Sequence, residues 1–288
     1  MAVLTVTLNP AVDRIVLFDK FVVGKDQRAA SSFYFSGGKG VNVARALTGI
    51  GVKAASLTFL DGHPEKVRVN TTIVDAQGRV TRVIEPGPTA SRAAQACFLR
   101  AFPASLGRSE FVIFSGSLAP GMKPDFLIKL IDRVQQQGIR CAVDTSGVAL
   151  DAIVKHGVDL VKPNRPEAEA LLGYRLSSPA RVSKALRSLA GCGIKDVLIS
   201  LGKDGLAGYD GRDEVFVSTE AVVGGHAVGC GDAALAGFVR ARLAKKDFKA
   251  CVRYAAACGA AAAAVDIPAG IILKDVKAFE RKIVADKE

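Results

Sequence analysis

There is no tryptophan in this 288-residue chain, and only four tyrosines, three histidines and two methionines. The basic residues are dispersed, with no long Lys/Arg run and no aromatics interleaved among them, so the charged, stacking groove of a nucleic-acid binder is missing. His63, His156 and His226 stand far apart, and neither an HExxH segment nor a Cys/His cluster offers a zinc site. Six cysteines (Cys97, Cys141, Cys192, Cys230, Cys251 and Cys258) occur singly, mostly inside apolar segments, with no CxxC pair. That is no disulfide scaffold, and it implies a reducing compartment.

Long apolar runs are missing as well. The longest uncharged alanine-rich stretch, Tyr254 to Val265, falls short of the ~20 apolar residues that span a bilayer. The N-terminus lacks the basic start, apolar run and small-residue cleavage site of a signal peptide. The expectation is a cytoplasmic protein with neither membrane nor nucleic-acid partner. No repeat period, linker or shift of composition divides the chain, so residues 1–288 read as one domain.

What the chain has is apolar content, 49%, enough for a full core, and a formal charge of +11 that favours anionic partners. Its second half repeats a unit. Short apolar runs (Phe111 to Phe114, Cys141 to Val143, Val158 to Val161, Val197 to Leu201) alternate with helical patterns such as Phe126, Leu127, Leu130, Ile131 and Val134. Such alternation predicts an α/β fold with a mostly parallel sheet covered on both faces. Each run hands over at its C-terminal end to Gly, Ser, Thr, Asn or Asp, the edge where open parallel sheets bind ligands. The first half reads differently. Arg14 to Phe18, Ala30 to Phe35, Val67 to Val74 and Arg79 to Ile84 alternate in part, with a hairpin turn at Asp75 to Gly78; a small β lid over the crevice is expected, from about 12–36 and 67–88.

Two glycine-rich segments carry chemistry. In Gly229, Cys230, Gly231 and Asp232, glycines let the backbone approach a ligand and the following helix aims its N–H groups and positive dipole end at it, so an anion belongs there. Asp232 alone has a second reading, as a helix cap. The letters also fit a dinucleotide fingerprint, but no acidic partner on a following strand supports it. Ser36 to Asn42 forms the other loop. It is not a Walker A loop, since Gly40 follows Lys39 and Phe33 replaces the leading glycine. Such a loop is often a plain turn; Lys39 and Asn42 also suit a sugar's hydroxyls and phosphate, and Asp13 suits hydroxyl donors.

Seven segments then form an ordered set: NPAVD (Asn9 to Asp13), GGKGVNVA (Gly37 to Ala44), SGSLAPG (Ser115 to Gly121), DTSG (Asp144 to Gly147), KPNRPE (Lys162 to Glu167), SLGKDG (Ser200 to Gly205) and GCGD (Gly229 to Asp232). Their order resembles the ribokinase-like (PfkB) carbohydrate kinases, in the branch of the 1-phosphofructokinases and tagatose-6-phosphate kinases. The resemblance implies a three-layer α/β/α fold with a small β-sheet lid. It makes Asp232 the catalytic base and the backbone of Gly229, Cys230 and Gly231 an anion hole. It puts Lys162, Asn164, Glu167, Ser200, Gly202 and Gly205 on the ATP side, with Glu167 holding Mg2+ through water. It puts Asp13, Gly37, Gly38, Lys39, Asn42 and Arg68 on the phosphosugar side, and implies a homodimer through the lid.

Two departures stand out. Ala233 follows GCGD where the family has Ser, which costs a hydroxyl but no backbone donor; Cys230 there reads as a small inert side chain or as a thiol activated by the helix start. Between Asp61 and Val67 the family's helix and strand are missing, so either the lid is abbreviated or a piece of chain is absent. The expected activity is ATP-dependent phosphorylation of fructose 1-phosphate or tagatose 6-phosphate by direct in-line transfer. The alternatives are a kinase for an unphosphorylated sugar or nucleoside, and a sugar-phosphate sensor without turnover.

Overall fold

Alternate residues of each central strand enter two different cores, and this builds the layers of the protein. The computed structural model describes residues 2–62, 66–218, 228–265 and 267–283. Its main sheet is formed by β1 (Val3–Thr7), β4 (Ala54–Thr58), β7 (Phe111–Ser115), β8 (Arg140–Asp144), β9 (Leu160–Val161), β10 (Asp196–Ser200), β11 (Leu206–Tyr209) and β12 (Glu214–Val217), in the order β12-β11-β10-β9-β8-β7-β1-β4. Pairing is parallel from β4 through β10, while β11 and β12 turn back as an antiparallel edge.

Leu4, Val112, Phe114, Val143 and Val197 face one core, with Phe102 and Leu106 of α2 (Arg92–Leu106), the buried stripe of α3 (Pro124–Gln136), Ile153 of α4 (Gly147–His156), Ala168 of α5 (Arg165–Leu172) and Leu186 of α6 (Pro179–Ala190). Val3, Ile113, Ala142 and Leu198 face the other, with α1 (Lys39–Gly49), α7 (Cys230–Leu243), α8 (Phe248–Ala263) and α9 (Leu273–Glu280). The expected stripe Phe126, Leu127, Leu130, Ile131 and Val134 is the buried face of α3; burying each such side chain contributes about 2 kcal/mol.

The smaller sheet has the order β3-β2-β5-β6, from β2 (Ala11–Phe18), β3 (Ser31–Gly37), β5 (Arg68–Asp75) and β6 (Val80–Ile84). Its central pair, β2 with β5, is parallel and sets Asp13 beside Asn70. The turn after β5 closes with Gly78 N–H donating to the Asp75 carbonyl at 2.8 Å. Among the described residues no α-helix or strand lies between β4 and β5, so β4 is the edge of the main sheet. The abbreviated stretch expected there includes residues 63–65, which lie outside the described residues, as does His226.

Strand order reverses at β1: α1 carries the chain to β4 on one side, and β7 to β10 extend on the other. A crevice opens beyond the strand ends at such a point. All six cysteines are free thiols, and no helix of the described residues is long and apolar enough to cross a membrane.

Candidate active site

The C-terminal strand ends, the starts of α1 and α7 and one face of the small sheet together line a crevice of about 900 Å³. Every site residue picked out by the sequence lines it except Gly37, which lies directly behind Asp13. A Cβ on Gly37 would collide with the Asp13 carboxylate, so only glycine allows β3 to pass that close.

Asp232 lies in the first turn of α7 and is buried. Gly229 caps that helix in the left-handed region, φ 80°, and any side chain there would meet the Ala269 amide at 2.5 Å. The first intrahelical bond runs from Ala233 N–H to the Gly229 carbonyl, leaving the preceding amides to point along the axis toward the crevice, as helix N-termini do. Asn42 Nδ2 donates to Asp232 Oδ2 at 3.0 Å. Burial pushes the Asp232 carboxyl up to about 6; Lys39 opposes the rise, Asp144 adds to it, and Asn42 and Lys162 draw it down. Burial likewise pushes the Cys230 thiol up to about 11, with Asp232 adding to the rise, so the thiol is protonated at neutral pH and the activated reading is not supported.

Beside Asp232 sits a compact charge cluster. Lys39 Nζ stands 3.1 Å from Asp144 Oδ1 and 3.9 Å from Glu167 Oε1, and Lys162 Nζ stands 3.2 Å from Asp144 Oδ2. Burial alone would raise the Asp144 carboxyl, but Lys162 and Lys39 outweigh it and hold it below the usual range. Asp144 in turn raises the Lys39 ammonium, against the opposing effect of burial. Lys162 Nζ also reaches to 3.3 Å from where a Cβ on Gly231 would sit, which sets its charge against the start of α7. Lys39 and Asn42, expected on the sugar side, therefore stand at the centre of the crevice.

From the small sheet, Asn70 Nδ2 donates to Asp13 Oδ1 at 3.0 Å. Arg68 lines the crevice with three of its five N–H donors already in use. Its guanidinium donates to the carbonyls of Asn9 at 2.9 Å, Glu85 at 3.0 Å and Pro10 at 3.4 Å, bolting β5 to the chain before β2. Arg82, on β6 opposite Thr72, also lines the crevice and has no hydrogen bond or ion pair among the described residues.

On the far side, Asn164 and Glu167 form a reciprocal capping box at the start of α5: Glu167 N–H donates to Asn164 Oδ1 and Asn164 N–H to Glu167 Oε2, both at 2.9 Å. Asn164 bridges Ser200, and Ser200, Gly202 and Gly205 form the rim with Ala256, Ala260 and Ala263 of α8. Small side chains leave room for a flat group. Among the described residues no three His, Cys, Asp or Glu groups combine to hold a metal. Glu167 Oε2 is committed to the cap and Asp144 to two lysines, leaving Glu167 Oε1, 3.9 Å from Lys39 Nζ, as the carboxylate oxygen on this side with no hydrogen bond among the described residues. That single donor fits a magnesium ion carried by phosphates and water, since Mg2+ keeps several waters.

Four contributors escaped the sequence reading. Asp144 sits inside DTSG and Asn70 inside the run Val67 to Val74, both already singled out, but nothing local gave them roles. Arg82 and Arg45 carried no motif; the only signal for Arg45 was its place one helical turn after Asn42, on the same face.

Comparison with known proteins agrees with this fold. Residues 60–266 match the family model described as pfkB family carbohydrate kinase. The chain is 32% identical to the ATP-dependent 6-phosphofructokinase isozyme 2 of Escherichia coli K12, over 88% of this chain and 89% of that one. It is 31% identical to the 1-phosphofructokinase of Rhodobacter capsulatus, over 89% of each. Phosphofructokinase-2 from E. coli, crystallised in complex with potassium, superposes with a TM-score of 0.88 at 28% identity, covering 98% of both chains.

Proposed function

The chain belongs to the pfkB family of carbohydrate kinases, and on that premise we propose that it transfers the γ-phosphoryl group of ATP directly to a hydroxyl of a phosphorylated ketohexose, fructose phosphate first among them. The observation that carries this reading is Asp232: a buried carboxylate at the anion-binding start of α7, hydrogen-bonded to Asn42, within one crevice that also holds Asp13 and Asn70. The names of the relatives, an ATP-dependent 6-phosphofructokinase and a 1-phosphofructokinase, support the substrate class.

In this mechanism Asp13 and Asn70 orient the acceptor's hydroxyls. Asp232, ionised at neutral pH, takes the proton as the acceptor oxygen bonds to γ-phosphorus and the bond to ADP breaks. The amides at the start of α7, with Lys39 and Lys162, face the negative charge of the group in transit. Phosphoryl transfer asks mostly for such alignment and neutralisation. Ser200, Gly202 and Gly205 flank the nucleotide. Glu167 would hold Mg2+ through water, and the chemistry that ion supplies is to offset phosphate charge.

Release of ADP from MgATP, measured with fructose 6-phosphate, fructose 1-phosphate, tagatose 6-phosphate, ribose and adenosine, tests the proposal. Turnover with one or more of the phosphosugars and a loss of about 10³-fold in Asp232→Asn is expected. Undiminished turnover in Asp232→Asn would remove the base. The commitment of Arg68 to backbone carbonyls favours a second reading, a kinase for an unphosphorylated acceptor, and turnover of ribose or adenosine alone selects it. We also propose self-association through the small sheet, where Phe33, Tyr34, Val83 and Ile84 are exposed; light scattering that finds only a monomer rules it out.

A further inference from the structure

Arg45 reaches across three separate parts of the fold. One Nη donates to Asn42 Oδ1 at 2.7 Å and to the Pro268 carbonyl at 2.8 Å; the other donates to the Ser36 carbonyl at 2.5 Å. Ser36 lies on β3, Asn42 on α1, and Pro268 immediately precedes Ala269, whose amide backs Gly229. The guanidinium is half-buried, and burial lowers its affinity for the proton while Asp13 and Asp232 restore part of it.

We propose that Arg45 is a positioning residue for the base: by occupying Asn42 Oδ1 it fixes the Asn42 amide so that Nδ2, and not the oxygen, is presented to Asp232. The argument is one of donor inventory. A guanidinium has five N–H donors and no acceptor, so the atom of Asn42 that meets it must be the oxygen. The amide's NH2 then points the other way, at Asp232 Oδ2. A donor favours the carboxylate over the acid, whereas a flipped amide would offer its oxygen and favour the acid. Arg45 therefore selects the proton-accepting form of Asp232, and through Pro268 ties the backing of the anion-binding turn to the same helix.

The inference rests on the reading of Asp232 as base, so its test measures the carboxyl itself as well as turnover. Asp232 is faced by Lys39, Asn42 and Arg45 from α1, by Asp144 from β8 and Lys162 after β9, and by Cys230 from its own helix. The 13C shift of its carboxyl carbon, identified by its loss in Asp232→Asn, is followed against pH in the wild type, Arg45→Met, Asn42→Ala and the double variant. Arg45→Met is expected to raise the midpoint by about one unit, the size of a hydrogen bond to a charged group. In the Asn42→Ala background the same substitution is expected to move it much less, by only the direct attraction of the Arg45 charge. An unmoved midpoint in Arg45→Met, or an equal rise in both backgrounds, overturns the proposal, the latter because the charge then acts without Asn42. If Arg45→Met does not fold, Arg45→Gln carries the test: its side-chain amide offers an oxygen as well as N–H groups, so it no longer dictates which atom of Asn42 faces it, and an unmoved midpoint rejects positioning. Should Asp232→Asn retain turnover, the base reading fails while the titration still decides what Arg45 does.

Discussion

Lys162 and Asp144 form an ion pair at 3.2 Å in which both side chains are almost wholly withdrawn from solvent, 3% and 1% exposed. Neither charge is tolerable there alone, because desolvation costs more than water can return. The pair is sustained by Lys39 on the other carboxylate oxygen.

Removing the carboxylate therefore strands Lys162 and leaves Lys39 with its longer contact to Glu167. Asp144→Ala is expected to lower stability by about 3 kcal/mol, and Lys162→Met, which strands less because Lys39 remains, by a smaller amount. Urea unfolding followed by circular dichroism measures both; equal stability of Asp144→Ala and wild type contradicts this account of the cluster.

Asp232 makes the opposite prediction. Its folded carboxyl titrates near 6, above the ordinary value of 3.8, so the stability tied to its protonated form is present at acid pH and lost as pH rises toward and through 6. At pH 8 Asp232→Asn is expected to be more stable than wild type by about 1–3 kcal/mol, an advantage that shrinks by pH 5. Melting temperatures at the two pH values check the sign. In turnover, the same titration places the acid limb of kcat/KM near pH 6.

Arg68 and Arg82 separate structure from binding. Arg68→Ala deprives the carbonyls of Asn9, Pro10 and Glu85 of a shared donor, so a loss of stability of about 1–3 kcal/mol is expected. Arg82→Ala removes a side chain with no hydrogen bond or ion pair among the described residues; it is expected to leave the melting temperature unchanged and raise KM for a phosphosugar about tenfold. The reverse pattern would return the phosphate to Arg68.

The sequence by itself determined the α/β class, the strand ends at which the crevice opens and the glycine turn that opens α7. These follow from local periodicity: the stripe through Phe126 and Val134 can bury only one helical face, and a glycine turn before a helix points N–H groups at an anion wherever it occurs. Only the tertiary structure decided what those groups touch. The parallel pairing of β2 with β5, which joins Asp13 to Asn70, and the antiparallel edge of β11 and β12 have no signature in either strand taken alone. Asn42 meets Asp232 across 190 residues and Arg45 meets Pro268 across 223, because α1 packs against α7 and the turn behind it. Arg68, which the resemblance puts on the phosphosugar side, is in the fold also a bolt between β5 and the chain before β2. Hydrogen-bond donors take the acceptors that packing brings within reach, and packing is a property of the whole chain.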